Sequence, residues 1–230
     1  MPPPEAERPV DFPPSDKTRV KRLHQRARYD RESAYAILDS GVLCHVGYVI
    51  DGQPYVTPTA YWREDDRVYW HGSSASRMLR KVKEGVPVCF TVAMLDGLVL
   101  ARSGFHHSVN YRSLMAFGRA EEVEDEAEKI RSLDVFIDRL TPGRAAEIRP
   151  ATSQEIKATT LLRMKLDEVA VKIRNGPPVD DEEDYALDVW AGVVPVRTVV
   201  GAAENDPRLK TGVAEPAYLQ EIRINARQGD

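Results

Sequence analysis

The chain has 230 residues, 42% of them hydrophobic and 30% charged, and a net charge of −4. That is long enough for one domain with a true core, and the mild negative balance argues against nucleic acid or an anionic membrane as partner. No apolar run approaches the roughly 20 residues of a membrane span, and no apolar signal core opens the chain, so a cytoplasmic protein is expected.

Four prolines fall among the first nine residues, and they cannot propagate a helix, so residues 1–17 are expected to form a disordered or extended arm. Asp30 can cap a helix from Arg31 to about Asp39, with Ala34, Ile37 and Leu38 on its inner face and Gly41 as its stop. Then the period changes. Val42 to Ile50, an Asp51-Gly52 hairpin turn, Tyr55 to Trp62 and Val68 to His71 read as consecutive strands. Several strands are apolar on both faces, which suggests a closed or doubly covered sheet. Cys44 and Cys89 lie alone in such strands, with no CxxC motif and no disulfide framework.

A helix is expected from Ser73 or Ser74 to about Glu84, with Gly85 ending it. Val86 to Val92 and Leu98 to Arg102 follow as strands joined through Asp96-Gly97, then Val109 to Glu122 as a longer one. Asp125 to Leu140 is the clearest amphipathic helix, with Ile130, Leu133, Phe136, Ile137 and Leu140 recurring at three and four. Thr152 and Glu155 make a capping-box pattern for a short helix. Thr160 to Arg174 reads as one long strand, Asn175 to Asp184 as a Pro-rich acidic loop, and Trp190 to Val200 as apolar again. Six or seven strands, mostly hairpin-linked and decorated by helices, predict a mainly β fold of barrel type.

Four constellations stand out. In His71-Gly72-Ser73-Ser74-Ala75-Ser76-Arg77, hydroxyls and unpaired amides at a helix start, with an arginine one turn in, suit a phosphate; an ordinary serine-capped helix carries the same residues. Phe105 to Ser113 sets His106, His107, Asn110, Tyr111, Arg112 and Ser113 on a strand, as either a pocket lining or a solvated hairpin end. Consecutive strand residues point to opposite faces, so the paired histidines do not predict a metal site. Pro58, between Thr57 and Thr59, removes a ladder donor and predicts an edge or a bulge, where a ligand can reach backbone groups. Trp190, before Ala191-Gly192, can cover a ring or pack in a core. No nucleophile elbow, carboxylate pair or dinucleotide fingerprint is present, so a bound redox group is the expected source of any chemistry.

Taken in order, Thr57-Pro58-Thr59, Tyr69-Trp70-His71-Gly72-Ser73, Ser76-Arg77-Met78-Leu79, Asp96 to Ser103, His106 to Ser113, Phe117-Gly118 and Trp190 to Pro195 resemble the pyridoxamine 5′-phosphate oxidase-like flavin-binding proteins. Within that group the chain looks nearest the branch that includes the nitroimidazole-resistance proteins. The resemblance implies a split β-barrel over residues 18–200, with 201–230 as a tail packed on the barrel or on a partner. It also implies a homodimer with FMN in clefts between the subunits. His71, Ser73, Ser76, Arg77 and Met78 would hold the phosphate; Thr57, Pro58, Thr59 and Ala60 would line the ring edge. Asn110, Tyr111, Arg112 and Ser113 would reach the cofactor from a later strand, and Trp190 from the C-terminal segment. His71 is also the match to a functional histidine of the nitroimidazole-resistance branch. The arginine-rich ending of true pyridoxamine phosphate oxidases is missing, since Ala-Gly-Val-Val-Pro follows Trp190, so that substrate is not expected. The resulting expectation is an FMN-dependent oxidoreductase acting between a nicotinamide donor, NAD(P)H, and a small acceptor. The alternatives are a non-catalytic flavin carrier or sensor, and the same barrel holding deazaflavin or haem.

Overall fold

The computed structural model of the chain describes residues 10–226; the first nine positions of the expected arm lie outside the described residues. A two-residue strand β1 (Ala27–Arg28) leads into α1 (Arg31–Ser40). The hairpin series β2 (Leu43–Ile50), β3 (Gln53–Glu64) and β4 (Arg67–Ser73) precedes α2 (Arg77–Val82), and β5 (Pro87–Leu100) and β6 (Ser108–Arg119) follow. Then come β7 (Glu121–Glu122), α3 (Glu126–Leu140), α4 (Ser153–Ala158), β8 (Thr159–Lys165), β9 (Glu168–Arg174) and β10 (Gly192–Pro195).

All pairings are antiparallel, in the order β1-β9-β6-β5-β2-β3-β4-β8-β7, with β10 on β5. Only Leu166 and Asp167 separate β8 from β9, yet the two strands stand near opposite ends of that order. The sheet must therefore curl round until its ends approach without pairing: a split β-barrel, and mainly β as expected. The predicted single strand Thr160–Arg174 is thus corrected to two strands that serve different halves. Its continuous apolar pattern hid the break.

The curl and α3 give β4, β8 and the end of β3 two buried faces. Tyr61, Val68, Trp70, Leu162 and Met164 point into the barrel with Val46, Phe90 and Leu114, whereas Trp62, Tyr69 and Leu161 point outward beneath α3. This is why strict alternation of apolar and polar residues fails.

Local chemistry sets the helix starts. The Asp30 carboxylate accepts from Ser33 N at 2.7 Å, and Ala34, Ile37 and Leu38 are buried, as the pattern predicts. Gly41 stops α1 for a different reason than expected. Its φ is −92°, not left-handed, but a Cβ there would lie 2.8 Å from the Tyr61 hydroxyl. That hydroxyl donates to Leu38 O at 2.8 Å and ties α1 to the barrel. The turn Asp51-Gly52 has both residues at positive φ, 50° and 81°, as a tight hairpin requires.

Three further expectations are corrected. α2 is only six residues long and begins at Arg77, because Ser73 completes β4 and Ser76 is the cap. Asp96-Gly97 is a bulge within β5, not a turn; the hairpin bends at residues 101–107. On α3 the fully covered residues are Lys129 and Ser132, with Leu133, Val135 and Phe136 packed beside them, while Ile130, Ile137 and Leu140 are half-exposed. Leu133 and Phe136 of the expected stripe do face the core, and Glu64 holds the helix there by accepting from Trp62 Nε1 at 3.0 Å, Arg131 Nη1 at 2.6 Å and the Ser132 hydroxyl. Burial alone would raise the Glu64 pKa, but those hydrogen bonds outweigh it and hold the carboxyl below its usual range.

From Val10 on, the N-terminal arm is docked: Phe12 is buried in the main core and its N–H bonds Tyr29 O. The C-terminal tail returns over the barrel as a strap, with Asn225 N donating to Ser40 O at 2.7 Å.

Tyr61→Phe should remove the buried bond from β3 to the Leu38 carbonyl of α1 and leave that carbonyl short of a donor, while the Arg63–Asp39 pair remains. A loss of about 1–2 kcal/mol is expected in chemical denaturation, with native circular dichroism retained.

Candidate functional site

The β3–β4 ladder runs from Glu64↔Arg67 to Tyr61↔Trp70 and stops. Beyond that point β4 pairs only with β8, through His71↔Leu161 to Ser73↔Thr159, and β3 pairs only with β2. The strands diverge into a wedge. Gly72 sits at its base, where an added Cβ would lie 3.1 Å from Leu79 Cδ1, so a small residue lets α2 close against the strand.

One wall of the wedge is the free edge of β3. Tyr61 N donates to Val42 O at 3.1 Å, and antiparallel alternation then turns Thr57 and Thr59 toward β2. The backbone groups of Val56, Pro58 and Ala60 face the unpaired edge. Pro58, which has no N–H to give, occupies a position where none is needed. The edge expected from the sequence is there. Thr57 and Thr59 turn inward, with Thr57 Oγ1 3.1 Å from the Tyr48 hydroxyl and Thr59 O accepting from Cys44 Sγ at 3.4 Å.

The other wall is the turn into α2. Ser73 Oγ accepts from Ala75 N at 3.2 Å, Ser73 O from Ser76 N at 2.8 Å, and Ser76 Oγ from Leu79 N at 3.5 Å. Among the described residues the amides of Arg77 and Met78 have no acceptor. The Arg77 guanidinium stands 4.5 Å from the Tyr55 ring centroid, across from β3, and forms no ion pair among the described residues. Met78 takes part through its backbone alone, because its side chain is in the main core. Free amides, hydroxyls and an unneutralised arginine converge on one open wedge, which suits an anion such as a phosphate.

His71 follows β4 on the outward face. Its ring is 5.8 Å from Trp62 and 5.0 Å from Phe136. Nδ1 is buried with no hydrogen-bond partner, and burial holds the imidazole pKa below its ordinary value. Nε2 is not sealed and has no partner among the described residues, so a neutral imidazole that presents Nε2 suits a ligating role.

The later strand behaves differently within one chain. Arg112 forms a double bond pair with Asp96, at 2.9 and 3.0 Å, and donates to Asn225 O and Ala226 O, each at 2.9 Å. Asn110 accepts from Arg174. Both face α1 and the C-terminal strap, so the structure does not bring them to the wedge. Asp96 was hidden by its turn-like Asp-Gly setting. Tyr111 and Ser113 lie on the opposite face, Ser113 Oγ donating to Lys172 O at 3.3 Å. Trp190 is 66% exposed and lies over Gly192, away from the wedge of its own chain. His107 Nδ1 is 2.8 Å from Ser103 O, and His106 Nε2 is 3.3 Å from Asp181; among the described residues no group of His, Cys, Asp and Glu could hold a metal ion. Nor, among those residues, is any helix long and apolar enough to cross a membrane.

The sequence pattern of the family described as pyridoxamine 5′-phosphate oxidase matches residues 30–173. No curated protein matches the chain. Among solved structures the chain is similar to the flavocytochrome Anf3 from Azotobacter vinelandii, with 48% identity, 93% of this chain and 99% of that chain covered, and a TM-score of 0.89. It is also similar to the FAD and haem binding protein from Mycobacterium smegmatis, with 37% identity, 86% and 97% covered, and a TM-score of 0.83. A structure assigned to 5-nitroimidazole antibiotic resistance in Bacteroides thetaiotaomicron shares 23% identity over 64% of this chain and 86% of that one, with a TM-score of 0.53, a likeness of fold alone.

Because the folded chain prefers neutral His71, the unfolded chain binds that proton more readily, and stability should fall as pH drops through about 6.5. His71→Phe should remove this component. From pH 7.5 to pH 5.5 the denaturation midpoint of the unaltered protein should fall further than that of the variant; parallel profiles would mean that His71 contributes no such component.

Proposed function

The chain belongs to the pyridoxamine 5′-phosphate oxidase family, and from that premise we propose that it is a redox protein holding a flavin in the β3–β4 wedge and a haem against His71. The observation that carries the reading is the wedge itself. It offers unpaired backbone groups along β3 to a flat heterocycle, and free amides and Arg77 to a phosphate. Similarity to a flavocytochrome and to an FAD and haem binding protein supports both groups. It also favours FAD over the FMN expected from the wider family resemblance. Ser73, Ser74, Ala75 and Arg77 are exposed, so a nucleotide can continue past the first phosphate.

When bound, the flavin accepts a hydride or single electrons and the haem exchanges single electrons, which makes an oxidoreductase able to split electron pairs. The chain's own part is positional. β3 supplies hydrogen bonds along the ring edge; Arg77 and the α2 amides hold the anion. His71 stays neutral near pH 7 and offers a ring nitrogen, with Phe136 and Trp62 fixing its plane. NAD(P)H remains the expected class of donor.

A homodimer fits the same surface. The outer face of β2, β3, β5 and β6 exposes Leu43, Val49, Val56, Leu95 and Met115 at 41–68%, a patch that a soluble monomer would not leave uncovered. A second copy seated there would bring Tyr111, Ser113 and Trp190 toward the other chain's wedge.

Purified protein should show flavin absorption together with a Soret band, and mass spectrometry of the released flavin should return FAD. Arg77→Ala should weaken flavin binding about tenfold to a hundredfold and leave the Soret band. His71→Ala should abolish the Soret band and keep the flavin. A colourless protein that ignores both added groups would overturn the reading.

A further inference from the structure

A cleft of about 960 Å³ lies apart from the wedge, between α1 and the C-terminal strap. Its floor is Ser33, Ala36, Ile37 and Ser40, a single face of α1, with Ile173 beside them. Val193 and Pro195 form the outer wall with the strap. Arg112 clasps that wall in place by its bonds to Asn225 O and Ala226 O.

The charges around this space balance in number, four arginines against four carboxylates, but they are not all paired. Asp96 is paired with Arg112, and Asp39 with Arg63. Arg139, from the last turn of α3, lines the cleft with Nη2 buried and without an acceptor. Arg223, on the strap, donates only to the carbonyls of Gln220 and Ile222. Neither arginine has a carboxylate partner among the described residues. Asp30, whose Oδ2 is also buried without a partner among the described residues, and Glu32 stand at the other end, at the start of α1, so the free positive charge is confined to the Arg139 and Arg223 end. A guanidinium group left without acceptors in a mostly apolar cleft is costly, and an anion entering the cleft relieves that cost.

Asn110 adds a second signal. It is 6% exposed, and its Oδ1 accepts from Arg174, which fixes the amide orientation and leaves Nδ2 as a donor. Nδ2 has no partner among the described residues, yet it is not sealed off, and Asn110 lines this cleft. A polar side chain more than nine-tenths buried thus offers an unused hydrogen bond to whatever fills the space.

We propose that this cleft is a binding site for a small apolar anion, a carboxylate on an aliphatic or aromatic body. Arg139 and Arg223 meet the charge, Ala36, Ile37, Ile173 and Val193 take the body, and Asn110 donates to an acceptor on it. The site is independent of the wedge and of His71, so it stands or falls separately from the redox reading.

The test uses the full chain with its coloured groups in place and 8-anilinonaphthalene-1-sulfonate as a fluorescent apolar anion. Saturable binding of one probe per chain is expected, with displacement by decanoate and not by decanol. Arg139→Gln combined with Arg223→Gln should weaken the probe about tenfold or more. Ala36→Phe, which fills the floor without touching a charge, should block it while the visible spectrum is unchanged. The proposal is overturned if decanol competes as well as decanoate, if neither variant alters binding, or if only protein stripped of its coloured groups binds the probe, since the cleft would then belong to one of them.

Discussion

Leu166 and Asp167 join two strands that sit near opposite ends of the sheet order, and two residues can bridge no more than about 7–10 Å. The sheet therefore cannot lie flat. It has to roll until β8 and β9 come together, and in rolling it must shed pairing somewhere. The loss falls between β3 and β4, where the ladder ends at Tyr61↔Trp70. A short connection on one side of the molecule thus accounts for an unpaired strand edge on the other. That edge would be a liability in an ordinary sheet, as an invitation to pair with another chain. Here Pro58 and the close start of α2 make a poor template for a strand and a good one for a planar ligand.

Rolling also explains how the chain spends its aromatic residues. Each strand of the β3-β4-β8 half needs two apolar faces, one for the barrel and one for α3. Trp62, Tyr69 and Leu161 serve α3, and His71 closes that row. A histidine in this position loses water on one side and gains no partner, which is why its neutral form prevails. The half built from β2, β3, β5 and β6 has no helix on its outer face. The same outward row passes from the helix-covered region, past the wedge, to the uncovered patch.

Much of this was legible in the residues. Asp30, Asp125 and the Thr152–Glu155 box marked helix starts that the structure contains, because capping is a local interaction within four residues. Pro58 marked a free edge for the same reason: a missing donor is a property of one residue. What failed depended on distant partners. Asp96-Gly97 has the composition of a turn, but Arg112, sixteen positions on, draws the aspartate into a buried pair and makes a bulge. Arg112, expected at the cofactor, bonds Asn225 O and Ala226 O within the single chain, partners that its neighbours in sequence do not reveal. The apolar stripe of α3 found its packed face at Leu133 and Phe136, and the polar neighbours Arg131 and Ser132 are held against the barrel by Glu64, an acceptor far away in sequence.

The geometry of the outward face carries one more consequence for the proposed assembly. The wedge opens on the same side as the uncovered patch of Leu43, Val56 and Met115, so a second copy that buries the patch also shields the wedge from water. Cofactor binding and association then draw on one surface, and anything that binds only the paired form stabilises it by mass action. Flavin retention would rise with protein concentration for that reason alone, without any change in the contacts made by Arg77. A haem held by His71, as proposed, would lie next to α3, where the contacts among His71, Trp62 and Phe136 belong to a single chain. Its binding would depend less on the partner. The two redox groups of the proposed protein are therefore coupled to different structural events, one to assembly and the other to the docking of a helix that Glu64 holds in place.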